Sequence, residues 1–218
     1  NANMHMCEAL LAAFAATSES RYLDRAETLA KQFAVELIDS EFGLIWEHYD
    51  TRWNPDMQYN IDKPDDLFKP WGFQPGHQVE WSKLLLQLNQ HRPSAWLQKR
   101  AIELFSGALQ HGWDHKYGGL VYGFGPDGSF ADAGKYFWVQ AEAFAAAWRL
   151  YKLTGEQQYL DHYNNLWIWC WGYLIDHDQG AWFRIRQRDG SAVDDLKSPP
   201  GKTDYHTMGA CWDVLSLH

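Results

Sequence analysis

A repeated pattern constrains the fold of this chain more than any other feature of its sequence. In each copy, an aromatic residue followed by leucine precedes the pattern Asp-x-x-x-Gly by 17 or 18 residues, counted to the aspartate. The aromatic residues are Tyr22, Trp96 and Tyr159, and the aspartates are Asp39, Asp114 and Asp176. The aspartates are 75 and 62 residues apart. A period of this size indicates a repeated supersecondary unit in which each copy packs against the next.

Two helices are predicted in each copy of the repeat. The first is apolar on nearly all sides, which is typical of a buried helix, and the second is amphipathic. We therefore expect the first helix of each pair to lie inside and the second outside. A strand-like run follows each pair and predicts short β-hairpins between pairs. The predicted helix pairs are 2–17 with 20–38, 76–90 with 94–111, and 136–153 with 156–174, followed by one more inner helix at 204–217.

Inner and outer helix pairs at this period predict an all-α fold, the (α/α)6 toroid, which is named for its six pairs. About three and a half pairs are present, and the sequence starts at Asn1 in what resembles the middle of a helix. We expect residues 1–218 to form a single domain that is the C-terminal portion of such a barrel, with the N-terminal portion missing.

Polar residues recur at one level of the inner helices. His5, His77, Glu142 and His206 are separated by 72, 65 and 64 residues, close to the structural period. In a toroid, the ends of the inner helices on one side surround a common cavity. A single histidine on an apolar helix is usually a core residue, but three at equivalent levels favour a functional site. The other histidines, including His48, are expected at the surface.

The segment 75–81 (PGHQVEW) predicts a helix start, because proline and glycine precede the apolar run. His77 and Glu80 are three residues apart and share one face of the first turns. The unpaired N–H groups at a helix start oppose charging of an imidazole and favour a neutral base. A polar first turn on an ordinary core helix is the alternative.

Composition excludes several classes of partner and site. The net charge of −9, without a basic cluster, argues against nucleic acid as a partner, and no apolar run is long enough to span a membrane.

The cysteines and histidines indicate the compartment and the metal content. The three cysteines lack CxxC spacing, so we expect the protein to be in the reducing cytoplasm. The histidine spacings match no compact zinc motif, and we expect neither metal nor cofactor, although convergence of the three histidines leaves zinc open. The 13 tryptophans fit core filling or stacking on sugar rings equally well.

Four segments resemble the N-acylglucosamine 2-epimerase superfamily, whose fold is an (α/α)6 barrel: 1–9 (NANMHMCEA), 75–81 (PGHQVEW), 135–143 (KYFWVQAEA) and 205–208 (YHTM). Because Trp81 directly follows the glutamate, the segment 75–81 is more similar to the aldose–ketose isomerase branch of the superfamily. That branch includes mannose isomerases and the sulfoquinovose isomerase. The resemblance implies that His77 and His206 are the catalytic pair. It also implies substrate contacts from Asn1, His5 and Glu80. Trp71 and Trp138 are candidates for stacking on the sugar, and Gln140 is a further candidate from its inner helix.

The implied reaction interconverts an aldose and a ketose, of the mannose/fructose or sulfoquinovose type, through a cis-enediol. The substrate is a small monosaccharide, and a homo-oligomer is possible. Our hypothesis is that His206 moves the proton between C1 and C2. His77 would open the sugar ring and exchange a proton with the carbonyl oxygen, although the two roles can be exchanged. Glu80 would orient His77 or bind a hydroxyl.

Three other functions stay open at this point. The nearest is a sugar 2-epimerase of the N-acylglucosamine or cellobiose type on the same fold. A glycoside hydrolase would use Glu80 and Glu142 as its two carboxylates, but this leaves the histidines unexplained. A non-catalytic sugar-binding or protein-interaction module would need the aromatic cavity but not the histidines.

Overall fold

The computed structural model describes residues 2–39, 41–198 and 204–217, and seven α-helices are the main elements of this part of the chain. The helices are α1 Ala2–Thr17, α2 Ser20–Lys31, α3 Pro75–His91, α4 Ala95–Gly112, α5 Phe137–Thr154, α6 Gln157–Trp169 and α7 Tyr205–Ser216. The second helices of two pairs are shorter than expected, because α2 and α6 continue into π-helical turns at Gln32–Glu36 and Cys170–Leu174. Asn1 lies outside the described residues.

The helices pack as inner and outer partners, α1 with α2, α3 with α4 and α5 with α6, and the inner helices α3, α5 and α7 pack side by side. This arrangement confirms the predicted all-α fold, a partial (α/α)6 toroid. The expectation that α1 is buried is wrong, since only Met4, Cys7 and Leu11 of this helix are buried. The reason is its position: α3 and α5 have inner neighbours on both sides, whereas α1 packs mainly on α2 and, along one side, on α3.

The Asp-x-x-x-Gly turns are equivalent in all three copies. In each, the residue before the aspartate forms an antiparallel bridge with the residue six positions after the aspartate. The bridges pair Ile38 with Ile45, Trp113 with Leu120 and Ile175 with Trp182. The turn glycines have φ of 65° at Gly43, 75° at Gly118 and 77° at Gly180. Such left-handed conformations favour glycine, so the sequence repeat corresponds to a repeated backbone turn.

The short strands only partly follow the prediction of one hairpin per pair. β1 (Gly123–Phe124) and β2 (Phe130–Asp132) form an antiparallel hairpin after α4. β3 (Lys135–Tyr136) pairs instead with β4 (Ile185–Arg186), which follows α6. After α6, the described residues form isolated bridges instead of a hairpin: besides the bridge of the Asp-x-x-x-Gly turn, Arg186 pairs with Ala192. The β3–β4 pair therefore ties the start of α5 to the segment that leads towards α7.

No helix among the described residues combines the length and the apolar character needed to cross a membrane.

Candidate active site

The N-terminal ends of the inner helices surround a small cavity of about 30 Å³. Its lining consists of His5, Leu67, Phe68, Pro70, His77, Glu80, Tyr122, Trp138 and His206. A larger cavity of about 400 Å³ shares Phe68 and His77 with it and is bounded mainly by residues of the long loop that precedes α3. Both catalytic candidates thus line one cavity, as the repeat predicts, together with His5, Glu80 and Trp138.

Trp138 lies between the two catalytic candidates. Its ring centroid is 5.1 Å from that of His77 and 5.5 Å from that of His206. The close approach to α3 depends on Gly76, because a Cβ at this position would lie 2.5 Å from the Trp138 ring. Pro75 and Gly76 therefore both start the helix and let the tryptophan lie against His77.

His77 is oriented by a carboxylate that the sequence analysis missed. Its Nδ1 lies 2.8 Å from Oε1 of Glu47, and both side chains are largely buried. Burial opposes ionisation of Glu47, but the charge and hydrogen bond of the His77 ring outweigh it, and the pKa of Glu47 is lowered. An ionised carboxylate only accepts hydrogen bonds, so Nδ1 of His77 is the donor. In the neutral ring, Nε2 then carries the lone pair and can act as a base.

His206 has the same arrangement on another helix. Its Nδ1 lies 2.8 Å from Oε1 of Glu142, and both residues are buried. Oε2 of Glu142 forms an ion pair of 2.5 Å with Nζ of Lys83. Burial would raise the pKa of Glu142, but Lys83 and His206 together hold it below its ordinary value. Nδ1 of His206 is therefore also a donor, and its Nε2 is available as a base.

Glu80 is not the partner of Nδ1 of His77, because Glu47 occupies that position. Oε1 of Glu80 lies 3.6 Å from Nδ1 of His5, which also has Glu8 at 3.6 Å. Since Glu47 holds Nδ1 of His77, the remaining proposed role for Glu80 is contact with a substrate hydroxyl.

Two expected substrate contacts are not brought to either cavity. Gln140 is buried and uses its whole amide on the backbone, because Oε1 accepts from the N–H of Leu120 and Nε2 donates to its carbonyl oxygen. Trp71 donates its indole N–H to the carbonyl oxygen of Met57 and packs edge-on against Trp46. We therefore remove Gln140 from the candidate set, whereas stacking of Trp71 on the sugar stays a prediction, because an indole ring face can stack while its N–H is bonded. Conversely, His48, which was expected at the surface, is half-buried: it contacts the Pro70 carbonyl oxygen and lines the larger cavity.

Two overlapping groups have a suitable donor set for a metal ion. The ligand atoms of His5, Glu8 and Glu80 lie within 4.8 Å of one another, as do those of Glu80, Glu142 and His206. In the second group, the Lys83 ammonium already neutralises Glu142 at 2.5 Å, and a divalent cation would have to approach this positive charge. The donors therefore fit a metal less well than their number suggests.

The site can perform acid–base chemistry from two directions. Two imidazoles, each with a carboxylate on Nδ1, lie on either side of an indole ring. Hydrolysis by Glu80 and Glu142 fits poorly, because Glu142 is already bound to Lys83 and His206 and is not available as an acid.

Comparison with known proteins gives consistent results. Residues 1–210 match the sequence model of the family described as N-acylglucosamine 2-epimerase (GlcNAc 2-epimerase). The chain is 53% identical to a D-mannose isomerase of Marinomonas mediterranea over 99% of its own length and 55% of that protein. It is 34% identical to a D-mannose isomerase of Pseudomonas cannabina pv. alisalensis, over 96% of this chain and 52% of that one.

A crystal structure of D-mannose isomerase superposes with a TM-score of 0.96 at 52% identity, covering 100% of this chain and 56% of the other. The chain thus spans about half the length of the relatives that it matches. The family match extends over nearly the whole chain and includes all four residues of the two histidine–carboxylate pairs. The chain belongs to the N-acylglucosamine 2-epimerase family.

Proposed function

We propose that the protein is an aldose–ketose isomerase that interconverts D-mannose and D-fructose. The observation that carries the proposal is the pair of histidines, His77 and His206, each with a carboxylate on Nδ1, around one cavity. The similarity to proteins named D-mannose isomerase supports the choice of sugar. Because the chain spans about half of these relatives, this activity is proposed for the intact protein.

The reaction begins with ring opening of the sugar, which requires a proton for the ring oxygen and removal of the proton from the C1 hydroxyl. We assign this exchange to His77, whose partner Glu47 stabilises the charged ring that forms. The open-chain product has an aldehyde at C1 and a weakly acidic C–H at C2.

Isomerisation then moves one proton from C2 to C1. Nε2 of His206 removes the C2 proton, the electron pair of that bond forms the C1=C2 bond, and the His77 imidazolium gives a proton to the aldehyde oxygen, so that a cis-enediol forms. The C2 hydroxyl then returns a proton to His77 as it becomes the ketone, and His206 returns a proton to C1 on the same face. Glu142 remains ionised and holds the imidazolium that exists between the two transfers.

Substrate binding requires the larger cavity as well as the smaller one. The smaller cavity, at about 30 Å³, corresponds to a single water molecule, whereas ligand sites usually measure about 300–1,000 Å³. We propose that the reacting carbons lie between the histidines and that the rest of the sugar extends past Phe68 into the larger cavity. His5 and Glu80 are placed to bind hydroxyls at the inner end, and Trp138 offers an apolar ring face between the histidines.

A cytoplasmic location is proposed from the cysteines. Cys7, Cys170 and Cys211 are all free thiols. Unpaired thiols are typical of a reducing compartment.

Epimerisation at C2 is the second candidate, because the matched family is described by that activity. An epimerase returns the proton to the opposite face of C2, which requires a second base, and here two histidines are available. Incubation of the intact protein with D-mannose in D2O separates the possibilities. We expect fructose with deuterium at C1. Glucose with deuterium at C2 would establish the epimerase, and no change in any tested aldose would overturn both proposals.

A further inference from the structure

Lys83 is a buried cation that the proposed reaction does not use directly. It lies two turns into α3 with a side chain only 4% exposed. Its Nζ is 2.5 Å from Oε2 of Glu142 and 3.9 Å from Oε1 of Glu8. Glu80 precedes it by three residues and so lies on the same face of the helix. Burial alone would lower the pKa of Lys83, but Glu142, followed by Glu80 and Glu8, raises it above the ordinary value, so the side chain is charged.

A buried ion pair of this kind is not needed for packing. Removing a lysine and a carboxylate from water costs several kcal/mol for each charge, and an apolar pair of similar size often stabilises a core equally well. A role in the site is therefore a natural explanation for the charge.

The two histidine–carboxylate pairs differ in this respect. Glu142 contacts both His206 and Lys83. Among the described residues, Glu47 has His77 as its one basic partner within 4 Å. Within the part of the chain that the structure describes, the carboxylate beside His206 thus contacts a permanent cation, and the carboxylate beside His77 does not. A carboxylate attracts a proton to its histidine, and a nearby cation weakens that attraction.

We propose that Lys83 is a positioning residue that makes the two histidines chemically unequal. By partly cancelling the charge of Glu142, it lets that carboxylate orient His206 while the ring stays neutral and ready to accept the C2 proton. His77 pairs with Glu47, which among the described residues has no lysine or arginine within 4 Å, and we assign to His77 the proton exchange of ring opening. This inference rests on the proposed isomerase function and assigns the two roles within it.

Other charged and titratable groups also face the two rings. His206 is faced by Glu80 of α3, by His5 of α1 and by the neighbouring Tyr205, whose hydroxyl contacts Glu8. His77 shares the larger cavity with His48 and Lys69, besides Glu47. Of the lysines and arginines that the structure describes, Lys83 touches one of the two orienting carboxylates, and none touches the other.

The test compares K83M, which removes the charge, with K83R, which keeps it. The control is K135M, since Lys135 is a second buried lysine paired with a carboxylate, Asp114, but does not line the cavity. Two readouts are needed in the intact protein. One is the pH titration of the ring nitrogens of His206 and His77 by NMR, and the other is the pH profile of kcat/KM for D-mannose.

In K83M we expect the His206 ring to titrate about one pH unit higher than in wild type, because the charge of Glu142 is no longer cancelled. His77 should titrate as before. The pH at which kcat/KM rises on the acidic side of its profile should increase together with the His206 titration. At pH values below this rise, kcat/KM should be about tenfold lower than in wild type, and it should recover at higher pH. K83R and K135M should leave both measurements near wild type.

An unchanged His206 titration in K83M would overturn the inference, even if activity fell, because it would show a structural role only. If K83M does not fold, K83Q, which keeps a polar side chain without charge, replaces it with the same expected shift. Failure of the proposed isomerase function would give a different result. Wild type would then isomerise no aldose, while the NMR titration of His206 would still decide the role of Lys83.

Discussion

Oε1 of Glu142 lies 2.8 Å from Nδ1 of His206, and this contact fixes which ring nitrogen is available to a substrate. The same relationship joins Glu47 to His77, again at 2.8 Å, although Glu47 lies in a loop and Glu142 in a helix. Two carboxylates from different parts of the fold thus impose the same tautomer on two histidines. The site depends on these pairs and not on the histidines alone.

Replacement of Glu47 tests this dependence. In E47Q, the amide can donate to Nδ1 of His77 and favour the tautomer with the proton on Nε2, which cannot act as a base. We expect kcat to fall about 100- to 10,000-fold, the usual range for loss of one acid–base group. Steady-state kinetics with D-mannose measure the change. E41Q, at an exposed position of the same loop, is the matched control and should retain full activity. A kcat within about twofold of wild type in E47Q would mean that the contact does not set the tautomer.

Gly76→Ala tests the position of Trp138 between the histidines. The added Cβ would lie 2.5 Å from the indole ring, so the tryptophan must move away from His77. We expect activity to fall at least about tenfold and stability to fall by about 1–3 kcal/mol, the usual cost of overpacking.

Gly107→Ala is the control for that substitution, because its Cβ would lie 2.7 Å from Leu44, away from the cavity. It should cost similar stability and leave kcat/KM unchanged. Equal losses of activity in the two variants would show that overpacking alone, and not the displacement of Trp138, reduces turnover.

Gln140→Met tests the removal of Gln140 from the substrate contacts. The substitution leaves the buried N–H and carbonyl oxygen of Leu120 without their side-chain partner. We expect a loss of about 2–4 kcal/mol in the free energy of unfolding, measured by chemical denaturation. KM for the sugar should stay the same at a temperature where the variant is folded. A variant of normal stability but raised KM would return Gln140 to the binding site.

The buried Lys135 should make the free energy of unfolding depend on pH. Burial lowers its pKa to about 8 although Asp114 opposes the shift. Below pH 8 the lysine is charged in both the folded and the unfolded chain, and the folded chain bears the cost of burying that charge. Between pH 8 and the ordinary pKa of about 10.4 the unfolded chain binds more protons, so stability rises with pH.

Comparison of wild type with K135M isolates this contribution. The unfolding free energy of wild type relative to K135M should increase by up to about 3 kcal/mol between pH 7.5 and pH 10.5. A difference that stays constant over this range would show that the lysine is not shifted in the folded protein.

The sequence predicted the parts of the site that follow the helical repeat. His5, His77 and His206 lie at equivalent levels of inner helices, so the repeat period is enough to predict that they meet at one cavity. Glu47 was missed because it lies in an irregular loop without a helical period. One signal was present: Glu47 and Tyr122 both follow a turn aspartate by eight residues, and Tyr122 also lines the cavity.

The error at Gln140 has a geometric reason. Trp138 and Glu142 are four residues apart and share one face of α5, the face that meets the histidines. Gln140, two residues from each, points to the other side of the helix and meets the β-bridge at Leu120. The partnership of Lys83 with Glu142 joins two helices, and no spacing within one helix predicts it.

Exchange of the C2 proton tests the central claim most directly. D-mannose is incubated in D2O with the intact wild-type protein, with H206A and with H77A, and deuterium incorporation into the recovered sugars is followed by NMR. The account predicts incorporation with wild type and a loss of at least about 100-fold in each variant, because one lacks the base and the other cannot open the ring. Wild-type exchange in H206A would contradict the account, since the C2 proton would then be removed by another group.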